Sequence, residues 1–236
     1  MRSEFDSYAR DYSELLRDPA RDRFATTPLF FHRRKWSLIR GFFESSGRSM
    51  REAHWLDVGC GQGELLRLGQ AAFGRVAGCD LSQEMLKHSE GFEVRLQTTP
   101  VTLPYHAEAF DFVTAVCVYH HVAVADRRAL THDTFRVLRP GGVFCIIEHN
   151  PLNPMTRRIV RRTRVDTNAH LLAHSEARRL VGSAGFSFLD IQFFLYLPEL
   201  TFRRMPWLEA RLNHVPLGGQ YALFAKKSDV KLMDDA

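Results

Sequence analysis

The sequence predicts one doubly wound α/β domain, and three observations lead there. The first is the stretch His54 to Leu66, HWLDVGCGQGELL, where a short apolar run reaches an aspartate and then Gly59, Gly61 and Gly63. It reads as a buried strand, a glycine turn and a helix that begins near Glu64. The second is the alternation, further along, of short apolar runs with amphipathic stretches. The third is size: 236 residues, 45% hydrophobic and 25% charged, suit one large core without a second domain.

Strand, glycine loop and helix units hold the sugar and phosphate ends of nucleotide-like ligands at the carboxyl edge of a sheet, so a dinucleotide site is the first reading to weigh. Its fingerprint wants a third glycine where this chain has Glu64. Asp57, expected to point into the site, would repel a phosphate and would suit an ammonium, a sulfonium or ribose hydroxyls. The next apolar run, Val76 to Cys79, ends at Asp80, just before the helix N-cap candidate Ser82. An acid about 20 residues past a glycine loop accepts hydrogen bonds from both hydroxyls of a ribose.

With Asp57 to Gly63 and Asp80 on the page, the sequence resembles the class I S-adenosylmethionine (SAM) dependent methyltransferases, nearest the small-molecule branch that includes quinone and sterol methyltransferase-like enzymes. The resemblance runs from about Phe5 to Lys227 and implies a seven-stranded, mostly parallel, Rossmann-like sheet with an N-terminal helical lid and a late helical cap. It implies SAM as cofactor, held by Asp57, Gly59, Gly61, Gly63, Asp80 and Leu81, with Tyr12, Thr99 and Cys117 beside it. The reaction implied is methyl transfer to an oxygen, nitrogen or carbon nucleophile of a small-molecule acceptor.

Residues 1–50 are expected to form the lid. Phe5 to Leu16 has helical spacing, and Phe5, Asp6, Ala9 and Tyr12 match the family's F-D-x-x-A-x-x-Y pattern, whose tyrosine covers the cofactor. Phe30 to Phe43 makes a second amphipathic helix, from which Lys35 or Arg33 can meet the cofactor's carboxylate. A third strand, Phe92 to Leu96, precedes TTPVTLPY, where Thr99 stands in the place of the acid that binds the adenine amino group in the family.

Phe110 to Val118 reads as a fourth buried strand that ends in Tyr119, His120 and His121. Polar residues at that end of a central strand face the ligand crevice, and either histidine can serve as general base. The helix Asp126 to Leu138 is expected to stop at a turn, Arg139 to Gly142, and the fifth strand, Val143 to Ile147, runs into Glu148, His149 and Asn150. His120, His121, Glu148 and His149 are therefore the catalytic candidates. Asn150-Pro151 lacks the second proline and the aromatic of the base-methylating motif.

A capped helix, Ser175 to Ala184, leads to a sixth strand, Phe186 to Leu197, and a seventh follows at Gln220 to Lys226. Between them, Pro198 to Pro216 is too long and too apolar for a loop and is expected to cap the site, while the tail, 228–236, is expected to fray. His170 and His174 have helical ligand spacing but no third ligand, so no metal is expected. The four cysteines stand singly as core thiols, and the absence of a signal-like or membrane-length apolar run points to the cytoplasm.

The net charge is +5, and residues 1–150 hold 19 basic and 19 acidic side chains, so the whole excess lies in the C-terminal third. Arg157, Arg158, Arg161 and Arg162 recur at helical spacing there. They suit an anionic or lipid-linked acceptor, with no nucleic acid expected. The alternatives are an NAD-dependent oxidoreductase and a methyltransferase-fold protein that binds nucleic acid or a partner through the basic third.

Overall fold

The computed structural model describes residues 3–228; the tail beyond, expected to fray, lies outside the described residues. Seven strands form one sheet in the order β3-β2-β1-β4-β5-β7-β6, where β1 is His54–Val58, β2 Arg75–Asp80, β3 Glu93–Leu96, β4 Phe110–Val116, β5 Leu138–His149, β6 Phe186–Phe194 and β7 Gln220–Lys227. Only β7 runs antiparallel to its neighbours. Helices follow in chain order: α1 Tyr12–Leu15, α2 Pro19–Phe24, α3 Pro28–Ser46, α4 Glu64–Gly69, α5 Gln83–Leu86, α6 Arg127–Val137, α7 Pro154–Val160, α8 His174–Ser183, α9 Glu199–Arg204 and α10 Pro206–Leu212.

The central strands are near-continuous apolar runs because both faces of the sheet are covered. On one face α3 and α4 bury Ile39, Phe42, Phe43, Leu65 and Leu66 against Trp55, Phe112 and Phe224. Phe42 stacks on Phe224 at 4.4 Å between ring centres, and Phe43 meets Phe112 edge-on at 5.1 Å. On the other face α6 and α8 bury Leu130, Val137, Ala177 and Val181 against Leu56, Val113, Phe144 and Leu223.

Three expectations need correction. The segment expected to be one helix from Phe5 to Leu16 is a 3₁₀ turn, Glu4–Ser7, which Ser3 and Asp6 cap at its N-terminus, followed by a separate α1; Asp6 also reaches across to Ser82. Within 1–50, α3 is a layer of the core rather than part of a lid. RPGG does not form a turn between helix and strand: α6 passes straight into β5 at Leu138, and the pairing with β4 shifts register between Phe110 and Phe112 to take up the irregularity. In addition, α8 begins one residue early at His174, with Ala173 at its N-cap and no side-chain cap. Among the described residues no helix is long and apolar enough to cross a membrane.

Candidate active site

The site lies at the carboxyl ends of β1, β2 and β4. Beyond Val58 the backbone turns left-handed at Gly59, φ 66°, where an added Cβ would meet the Val118 side chain at 2.5 Å. Glycine is required there on both counts. The N–H groups of Gly59 and Cys60 donate to the Cys79 carbonyl at 2.7 and 3.0 Å, which fastens the loop to the end of β2. Asp80 completes the attachment: one carboxylate oxygen accepts from Gly61 N at 2.9 Å and the other from Ser82 N at 2.8 Å. Burial raises its pKa, and these two bonds oppose the rise.

Asp57 does not point into the crevice. Its carboxylate accepts from the Thr114 hydroxyl at 2.6 Å beneath the loop, and burial pushes its pKa up to about 7. Gly63 serves as the left-handed N-cap of α4 and lines no part of the cavity. Thr99 also turns away, since its hydroxyl accepts from Thr102 N at 3.0 Å. Gln97, at the end of β3, lines the cavity instead. Its place directly after β3 was the signal that marks it.

The cavity measures about 360 Å³. Gly59, Gly61, Asp80, Leu81 and Gln97 line one end, Cys117, Val118 and His121 the other, and Phe5 and Tyr12 form the roof. The N-terminal segment is tied down over it: Asp6 accepts from the Ser82 hydroxyl at 2.7 Å, and the Gln62 side chain donates to the Ala9 carbonyl at 2.7 Å. Burial drives the Tyr12 phenol upward in pKa. Phe5 lies edge-on over the His121 ring at 4.9 Å.

The polar end is denser than the sequence suggested. Cys117 sits left-handed at φ 58°, uncommon for a residue with a Cβ, at the point where β4 gives way to the loop. Burial would raise its thiol, but Lys35, 3.6 Å away, and His149 reverse that and bring it down to about 6. Lys35 is buried whereas Arg33 is exposed, so of the two expected cations only Lys35 reaches the site.

Glu148 is fully buried and does not face the cavity. It accepts from Tyr119 N at 2.7 Å and bonds His120 Nδ1 at 2.6 Å. Beyond His120, its Nε2 and the Nε2 of His121 each stand 3.5 Å from Asp166 Oδ1. Burial alone would lower His120, yet Glu148 and Asp166 raise it to about 10, and His121, desolvated and beside that cation, falls to about 4. His149 stands behind this group, its ring 5.1 Å from His120 and its Nδ1 3.3 Å from the Gln220 amide.

Asp166 was not foreseen. It follows a run of arginines, and only the fold returns it to β4: a short turn, Arg164–Asp166, comes back after α7, and His170 N donates to the His120 carbonyl at 2.8 Å. Buried Arg127 secures the same loop through the Tyr119 carbonyl at 3.1 Å and Glu176 at 2.9 Å. His170 precedes α8, so His170 and His174 are not presented on one helix, and the His174 ring packs on Phe193.

The family described as "Methyltransferase domain" matches residues 56–146, the span that runs from β1 through Asp80, the histidines and into β5. Residues 56–146 therefore match a methyltransferase domain. The methyltransferase domain is 36% identical over 117 residues to a tRNA (carboxymethyluridine(34)-5-O)-methyltransferase of Arabidopsis thaliana, a match covering 48% of this chain and 27% of that protein. It is 32% identical over 164 residues to a ubiquinone biosynthesis O-methyltransferase of Psychrobacter arcticus, covering 61% of this chain and 62% of the other. The chain thus spans only part of the length of these relatives. In fold it is similar to a SAM-dependent methyltransferase of Thermotoga maritima, with a TM-score of 0.68, 17% identity and 95% and 98% of the two chains covered. A second SAM-dependent methyltransferase, from Archaeoglobus fulgidus, gives a TM-score of 0.62 at 21% identity, with 81% and 94% covered.

Proposed function

We propose that the protein transfers a methyl group from SAM to an oxygen, nitrogen or carbon nucleophile on a small anionic acceptor, free or lipid-linked. The observation that carries this reading is one roofed cavity with Asp80 at one end and His121 at the other. When bound, SAM supplies an electrophilic methyl on a sulfonium. The residues at the Asp80 end fit it. Asp80 keeps lone pairs for ribose hydroxyls after its two backbone bonds, Gly59 and Gly61 leave room for close approach, and Gln97, whose amide nitrogen donates to the Thr99 carbonyl at 2.8 Å, lines the wall on the adenine side. Phe5 and Tyr12 would exclude water with the cofactor in place, and the acceptor's reacting atom would then lie toward Cys117 and His121. Because a sulfonium is already activated, alignment and exclusion of water are the main work of these side chains.

The charge beyond the cavity supports an anionic acceptor. Arg157, Arg158, Arg161 and Arg162 are exposed and line one groove with Pro154 and Met155, on the segment that also delivers Asp166. Exposed Trp207, Leu200 and Leu217, around α9 and α10, would suit a lipid-linked form. A second reading, a nucleic-acid acceptor, is favoured by the same arginines and by the tRNA substrate in the name of the Arabidopsis relative.

The test is release of S-adenosylhomocysteine on incubation with SAM and one of three acceptor sets: small carboxylates and phosphates, the same head groups on vesicles, and bulk tRNA. Turnover with either of the first two sets is expected. Turnover with tRNA alone would replace this reading by the second.

A further inference from the structure

His120, His121 and Asp166 bring three side chains of metal-ligating type together at one point. Both 3.5 Å separations from Asp166 Oδ1 are longer than a good N–H···O bond, yet all three ligand atoms lie within 4.8 Å of one another. Ligands held about 2.1 Å from a shared ion at tetrahedral or octahedral angles stand about 3.0 to 3.4 Å apart, which both separations from Asp166 already approach. The outer layer is also that of a metal site. Glu148 holds His120 by Nδ1 at 2.6 Å, which turns Nε2 toward Asp166, and Tyr119 N fixes the other oxygen of Glu148. Two carboxylates, Glu148 and Asp166, match the charge of a divalent cation. One side stays open, because His121 lines the cavity.

We propose that His120, His121 and Asp166 bind a divalent transition-metal ion at the acceptor end of the cavity, with a position open to an anionic oxygen. Two imidazoles and one carboxylate suit zinc, cobalt, iron or manganese rather than magnesium or calcium. The ion would orient the acceptor oxygen and favour its deprotonated form. That role rests on the methyl-transfer reading above; the binding of the ion does not.

The whole chain, stripped with chelator and dialysed, is titrated with Zn²⁺ and with Co²⁺ against a chromophoric chelator, while calorimetry follows SAM on the same preparation. One ion per chain is expected, with cobalt giving the absorption of a histidine-ligated centre. His121→Asn and Asp166→Asn should each weaken Zn²⁺ binding at least tenfold, and Glu148→Gln by about 10- to 100-fold. No saturable binding by the wild type, or equal binding by His121→Asn and Asp166→Asn, overturns the metal site. Should a variant fail to fold, the wild-type stoichiometry and cobalt spectrum still decide. SAM binding without metal binding would sink only the ion, and metal binding without SAM only the methyl-transfer reading.

Discussion

Asp57 lies next to the end of β1 and is buried, Asp80 ends β2 and is half-buried, and their oxygens meet different things. Asp80 bonds two backbone N–H groups at the cavity wall, so Asp80→Ala should weaken SAM binding by about 1 to 3 kcal/mol, measured by calorimetry. Asp57 bonds only Thr114 and Thr114 in turn accepts from Trp55 Nε1, so its effect is on folding. Its folded pKa, about 7, lies above its ordinary value, so its contribution to stability is complete below about pH 4 and is lost as pH rises toward 7. Asp57→Asn should remove this loss: chemical denaturation from pH 4 to 7 should show stability that falls more steeply in the wild type, by up to about 1.4 kcal/mol per pH unit. An identical slope in the two proteins would refute it. Asp80 was legible because strand and loop are adjacent in sequence. The fate of Asp57 was not, because it depends on register: β1 pairs with β4 so that Asp57 stands opposite Thr114.

At the scale of elements, the N-terminal segment and α3 looked alike in sequence, both amphipathic and aromatic. Periodicity tells that a face is buried without telling against what. Phe42 is packed on Phe224 in the core, so Phe42→Ala should cost about 3 to 5 kcal/mol in denaturant unfolding. Asp6 instead ties the roof to Ser82, so Asp6→Ala should raise the SAM dissociation constant several-fold while the midpoint of thermal unfolding barely moves. Equal losses of stability in the two variants would mean that the segment is core and not roof. The strands β1, β2 and β4 were legible to within about two residues, whereas β5 starts at Leu138 and not at the expected Val143. RPGG misled because proline and glycine signal a turn that separates helix from strand, whereas here they form a bulge, left-handed at Gly141, within the start of β5.

For the whole molecule, the one-sided charge was plain from composition, but the return of the same segment to the site was not. Only the tertiary path after α7 brings Asp166 beside His120 and His121. If the arginine groove draws the acceptor, Arg158→Gln with Arg162→Gln should raise the acceptor KM several-fold, more at low ionic strength, with the KM for SAM unchanged. Salt-independent kinetics in the wild type would leave these arginines as surface charge.

The place of β7 between β5 and β6 also sets an order of assembly. During synthesis the parallel strands β1 to β5 can pair as they emerge, whereas β6 has no neighbour in the sheet until β7 has left the ribosome. Until then Phe193 and Phe194, which β7 helps to bury, have no finished surface to pack on. The last stretch of sheet to be translated is thus the one that closes the growing edge, and a pause before Gln220 would leave that edge open to other chains.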